Sequence, residues 1–162
     1  MQLAQLNIAE AKYTTDDEHM VGFTGRIDMI NALADRSTGF VWRLVDDDDT
    51  DGALSLRMEG EGDYTLVNMS VWQDVQSLFH FIYKTAHAKV MQGKPDWFND
   101  MSNAHMVLWW IEDGHIPSMD EARQKLDDIR ANGPNPRAFD FNTPFDKNGR
   151  AITPKFPKKD CA

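Results

Sequence analysis

The chain has 162 residues, 41% of them apolar, which is enough to bury one core without staples, so a single domain is the expectation. A formal net charge of -9 and the lack of any basic face argue against a nucleic-acid partner. The single cysteine, Cys161, leaves no internal disulfide framework or thiolate metal cluster. With no signal-peptide pattern and no apolar run near about 18 residues, the chain reads as cytoplasmic and not membrane-spanning.

In chain order, Leu3 to Ala9 alternates as a first strand. Thr15 followed by Glu18 forms a capping-box signature, and Met20, Phe23, Ile27, Ile30 and Ala34 recur at helical spacing until Gly39. Phe40 to Val45 is a short second strand that runs into the acidic stretch Asp46 to Asp51. Its Asp47, Asp49, Asp51 and Gly52 match the opening of a calcium loop. Met58 stands where the closing Glu belongs, so a solvated loop is expected. Tyr64 to Trp72 is a third strand, and Val75, Leu78, Phe79, Ile82, Ala86 and Val90 mark one face of a second helix ending by Gly93 and Pro95. Ala104 to Ile111 is the fourth strand. Ser118 and Glu121 cap a third, peripheral helix that stops at Asn132-Gly133-Pro134. The rest reads as an extended arm, with Phe139, Phe141, Phe145 and Phe156 available to press onto the body or a partner. Lys155, Lys158 and Lys159 form a solubilising end.

The order β-α-β-β-α-β predicts a ferredoxin-like α+β domain over residues 1–116. Residues 117–162 form a C-terminal helix and arm packed on the same domain. Period-two geometry then sorts the strand residues. Val67, Met69 and Val71 are expected to meet the helices together with Ala4, Leu6 and Ile8. Asn68, Ser70 and Trp72 share the opposite, open face with Gln5 and Asn7. On the fourth strand Met106, Leu108 and Trp110 suit the helix side, which leaves His105, Val107 and Trp109 to the open side. A face holding tryptophans calls for cover, by the arm or by a second subunit, and two sheets packed face to face enclose a cavity.

Several segments together carry a family resemblance: Gly39-Phe40-Val41-Trp42-Arg43, Asn68-Met69-Ser70-Val71-Trp72, Phe81-Ile82-Tyr83 leading to His87, Trp97-Phe98, His105 with Trp109-Trp110, His115-Ile116-Pro117, Gly133-Pro134 and Ala138-Phe139. From Leu3 to about Phe145 the chain resembles the bacterial domain-of-unknown-function 3291 family. More distantly, the Val71-Trp72 connection into the second helix and the histidine late in that helix are similar to the antibiotic-biosynthesis-monooxygenase-like superfamily of dimeric α/β barrels. That resemblance implies a homodimer and a small-molecule ligand; the superfamily includes cofactor-free oxygenases, haem-handling enzymes and members of no known activity.

From Asn68 to His115 lie four of the five histidines and four of the five tryptophans, and the candidate site is drawn from this block and Arg43. Tyr83 and His87, four apart, read either as a proton-transfer pair or as a structural pair at a helix end. His105 beside Trp109 reads as a pocket for a flat ligand or as a packed histidine, with Arg43, Asn68, Ser70 and Trp72 contributing further binding groups. His115 shapes a turn; His19 and His80 are surface residues. His87, His105 and His115 lack the spacing of a metal motif, so no metal residues are assigned. The expected function is a monooxygenase-like enzyme acting on an aromatic or polyketide-like molecule in a Trp/His-lined cavity, with His87, Tyr83 and His105 catalytic. The alternative is a non-catalytic binder of haem, for which one axial histidine suffices, or of another planar ligand.

Overall fold

A computed structural model describes residues 1–45 and 54–153. The expected calcium-like loop, Phe156, the lysine cluster and Cys161 lie outside the described residues. Strand β1 (Gln2–Glu10) is followed by a 3-10 turn (Glu18–Met20) and helices α1 (Val21–Thr24) and α2 (Ile27–Asp35). Then come β2 (Phe40–Arg43), β3 (Thr65–Trp72), α3 (Val75–Lys84), α4 (His87–Met91), α5 (Lys94–Trp97), β4 (Met106–Ile111) and α6 (Met119–Asn132). The strands form one sheet in the order β2-β3-β1-β4, every pair antiparallel, which is the ferredoxin-like α+β topology the sequence predicts.

Both long helices expected from the sequence are interrupted. The first starts on Asp17, not Thr15: the Asp17 carboxylate accepts from the His19 N–H at 2.9 Å and opens the 3-10 turn, and the chain breaks again between α1 and α2 at Gly25–Arg26. The second starts on Asp74, whose carboxylate accepts from the Ser77 N–H at 2.7 Å, but stops at Lys84 because Thr85 is extended (φ -114°, ψ -173°). The Thr85 hydroxyl donates to the Phe81 carbonyl at 2.6 Å and accepts from the His87 N–H at 3.3 Å, so one side chain both closes α3 and helps start α4. His87 thus opens a helix instead of ending one. A Cβ on Gly22 or Gly93 would press into the indole of Trp97; these two glycines let that ring lodge between α1 and α5. Helix α6 follows its signature: Ser118 Oγ accepts from the Glu121 N–H at 3.1 Å, and Gly133 at φ 70° ends it.

Register decides which face is which. Gln5 pairs with Ser70 and with Leu108, and Asn7 pairs with Asn68 and with Met106. Met106, Leu108 and Trp110 therefore share a face with Gln5, Asn7, Asn68, Ser70 and Trp72, and α2 and α3 cover it. Leu3, Trp72 and Leu108 pack there with Ala34, Val75, Leu78, Phe79 and Phe81. The assignment of Asn68, Ser70 and Trp72 to an open face is corrected: they lie beneath the helices. Ala4, Leu6, Ile8, Val67, Met69 and Val71 occupy the other face, with Val107 and Trp109. That face is not open either. Ala122, Leu126 and Ile129 of α6 close it, with Met58 and Ala138. The expectation failed because uniform apolarity was read as the mark of the α2–α3 side, whereas the drier layer is the one under α6. A helix expected to be peripheral therefore supplies a whole layer of the core.

The arm returns to the first layer. Phe139 exchanges both backbone hydrogen bonds with Leu108, at 2.7 and 2.9 Å, covering the outer edge of β4. Phe139 and Phe141 are buried against the α3 side of the sheet, and the Trp110 indole donates to the Phe145 carbonyl at 2.9 Å.

Candidate functional site between the helices and the sheet

Two polar cross-strand pairs, Asn7–Asn68 and Gln5–Ser70, form the floor of an opening between the sheet and α1–α5, and the next pair along, Leu3–Trp72, is fully buried. Asn68 is the one exposed residue of β3, because the helical layer parts above it. On one side of the parting lies a cavity of about 160 Å³, walled by Phe23, Ile27, Ile30, Trp97 and Phe98. On the other lies a cleft of about 810 Å³, reached by Phe79, Phe81, Tyr83 and Phe98. Asn7, Asn68, His87, Met91, Lys94 and Phe98 line both, so the two spaces adjoin. The smaller is near the size that holds a single aromatic ring, and the larger falls within the usual range for organic ligands.

His87 stands on this shared wall. Its Nδ1 lies 3.2 Å from the Ile82 carbonyl; a carbonyl can only accept, so Nδ1 carries the proton and Nε2 keeps its lone pair. Nε2 has no partner among the described residues. Burial lowers the pKa of His87 from the ordinary imidazole value, only partly opposed by the bond to Ile82, so the ring is neutral at pH 7.

The charge of the lining runs against that of the chain. Arg26, Arg43 and Lys94 line the smaller cavity, and no Asp or Glu does so among the described residues, although the whole chain carries -9. Arg43 donates through Nε to Asp35 at 3.0 Å, and Arg26 sits 6.0 Å from the centre of the Trp97 ring. Lys94 makes no ion pair among the described residues; burial lowers its pKa, and the charge of Asp100 opposes this.

Of the site residues expected from the sequence, Arg43, Asn68, Ser70, Tyr83 and His87 line one or both spaces. Tyr83 reaches the cleft with its ring 4.6 Å from that of Phe79, but the break at Thr85 means that Tyr83 and His87 are not stacked on one helix face. Trp72, Trp109 and His105 lie elsewhere. Trp72 is fully buried between Phe81 and Phe40, with its indole donating to Ser70 at 2.9 Å, so it supports the floor without lining it. Trp109 lies under α6 and donates to Glu121 at 2.8 Å; Glu121 in turn meets His115 Nε2 at 2.6 Å. His105 precedes β4, with Nδ1 3.1 Å from the Asn103 carbonyl, and lines neither space. The aromatic walls are instead Phe23, Trp97, Phe98 and Phe81. Arg26, Lys94 and Gln5 were missed as site residues: the first two sit on helices whose breaks the sequence pattern hides, and Gln5 looked like the polar half of an ordinary alternating strand.

A family model described as a domain of unknown function, DUF3291, matches residues 2–155. The chain belongs to the DUF3291 family. The search of curated proteins found no match. Among solved structures the chain is similar to SnoaB, a cofactor-independent oxygenase from Streptomyces nogalater, at 14% identity and a TM-score of 0.47, covering 72% of this chain and 98% of that one. It is also similar to NE2512, a protein of unknown function from Nitrosomonas europaea, at 13% identity and a TM-score of 0.46, covering 72% and 95%. No helix among the described residues is long and apolar enough to cross a membrane.

Proposed function

We propose that this protein is a small-molecule enzyme that removes a proton from a compact aromatic or polyketide-like substrate, with His87 Nε2 as the general base. The observation that carries this reading is the position of His87, tied through Nδ1 to the Ile82 carbonyl, on the wall between two adjoining spaces. A neutral imidazole with one nitrogen held by a backbone carbonyl has the other available for proton transfer. The substrate anion left behind would be stabilised by Asn68 and by the cations Arg43, Arg26 and Lys94. Tyr83, on the lining of the larger cleft, would help orient the substrate. Enolate formation of this kind is the first step of monooxygenase-like chemistry on activated carbonyl compounds, the finer reading of this site.

The test uses an aryl β-diketone as probe, following exchange of its α-hydrogens with solvent deuterium by NMR and oxygen consumption by electrode. His87→Ala should slow exchange at least about 100-fold. Exchange at the wild-type rate in that variant removes His87 from the mechanism. The non-catalytic alternative, a binder of haem, would use the same Nε2 as axial ligand; a Soret shift on haem titration that disappears in His87→Ala, without turnover of the probe, favours it. A homodimer would meet through a surface other than the sheet face used in dimeric barrels, since α6 of the same chain covers that face.

A further inference from the structure

Gln5 is buried, 5% exposed, at the floor of the larger cleft, and its hydrogen bonds determine which way its carboxamide points. The Trp72 indole N–H is a donor only, and it donates to Ser70 Oγ at 2.9 Å. The Ser70 hydroxyl proton has one acceptor among the described residues, Gln5 Oε1, at 2.9 Å. The order Trp72 to Ser70 to Gln5 therefore runs one way: each group donates to the next, and the carbonyl oxygen of Gln5 is the end of the chain. Its amino group is left on the side away from Ser70, has no partner among the described residues, and is not sealed in the protein interior.

We infer that the Gln5 amino group is a binding donor for an acceptor oxygen of the ligand, a ketone or enolate oxygen, which makes Gln5 a specificity residue for carbonyl compounds. This rests on the reading of the cleft as a small-molecule site. A ligand that displaces water from this donor without replacing its hydrogen bond leaves it unsatisfied, so a molecule offering a carbonyl there is favoured over one that offers only hydrocarbon. The relay also polarises the amide: an oxygen already accepting from Ser70 makes its own N–H groups better donors. Asn7 and Asn68 lie one pair along the same floor, and they and His87 line the same cleft.

The test titrates the full chain with two fluorinated probes of the same shape, 4-fluoroacetophenone and 1-ethyl-4-fluorobenzene, by fluorine NMR. Gln5→Glu keeps the acceptor for Ser70 but replaces the free donor with an acceptor. It should weaken the ketone about tenfold and leave the ethyl analogue within about twofold. Ser70→Ala releases the carboxamide to rotate and should weaken the ketone about threefold, which keeps the idea testable if the buried Glu does not fold. Equal ketone affinity in wild type and both variants, with both probes still bound, overturns the role of Gln5 and leaves the cleft as a ligand site. Binding of neither probe to the wild type overturns the cleft reading and the role of Gln5 with it.

Discussion

His87 shows how far a residue's neighbours alter what its type suggests. In the sequence it follows Tyr83 by one helical turn; in the structure Thr85 breaks that turn and places the imidazole at the start of α4, against the Ile82 carbonyl and the Phe81 ring. Its lowered pKa has a consequence for stability. The unfolded chain takes up a proton near pH 6.5, before the folded one does, so this contribution is complete above that pH and is lost as pH falls toward the folded value. Thermal unfolding followed from pH 7.5 down to pH 5 should therefore show a decline that is shallower in His87→Phe; parallel profiles would mean that the folded imidazole titrates like a free one. His87, Asn68 and Arg43, expected at the site from the sequence, do line the two adjoining spaces, because the strand positions of Asn68 and Arg43 and the place of His87 after the second helix follow from local pattern. Lys94 and Arg26 were not legible, since a lysine or arginine on a helix ordinarily faces water and only packing brings these two to a cavity.

At the scale of elements, α6 stabilises more than its composition implies. Leu126 is fully buried against a sheet face of Ala4, Leu6, Val67 and Met69, so Leu126→Ala should cost about 2–5 kcal/mol in denaturant unfolding. The same helix is pinned by Glu121, which accepts from the Trp109 indole and from His115. Burial pushes the Glu121 carboxyl up, but those bonds and the charges of His115 and Lys125 outweigh it and hold the pKa below the ordinary value. Glu121→Ala would strand the buried indole donor, at a cost of about 1–3 kcal/mol in the same experiment. A loss no greater than that of an exposed substitution would show that Trp109 finds another acceptor. The capping signature of α6 was readable because Ser118 and Glu121 are local partners. The breaks in the two other helical stretches were not, because the apolar spacing runs straight through Gly25 and Thr85 and only the local backbone shows that the chain turns there.

For the whole molecule, the sheet is buried on both faces by one chain, with α2 and α3 on one side and α6 on the other. Methyl-labelled and unlabelled chains mixed after unfolding and refolding should give no contacts between Leu126 of one chain and Leu6 of another in filtered NMR spectra. Such contacts would mean that α6 is exchanged between subunits. The sequence by itself determined the ferredoxin-like strand order, the start and stop of α6 and the pairing of apolar positions along each strand, since these follow from period, capping and connection length, all local along the chain. Only the tertiary structure decided which face the paired helices cover and where Trp72 and Trp109 lie. It alone showed that the polar floor of Gln5, Asn7, Asn68 and Ser70 sits under a parted helical layer. The physical reason is that an alternating strand specifies two faces but not what covers each one. That is set by register across the sheet and by competition between distant helices for the drier surface.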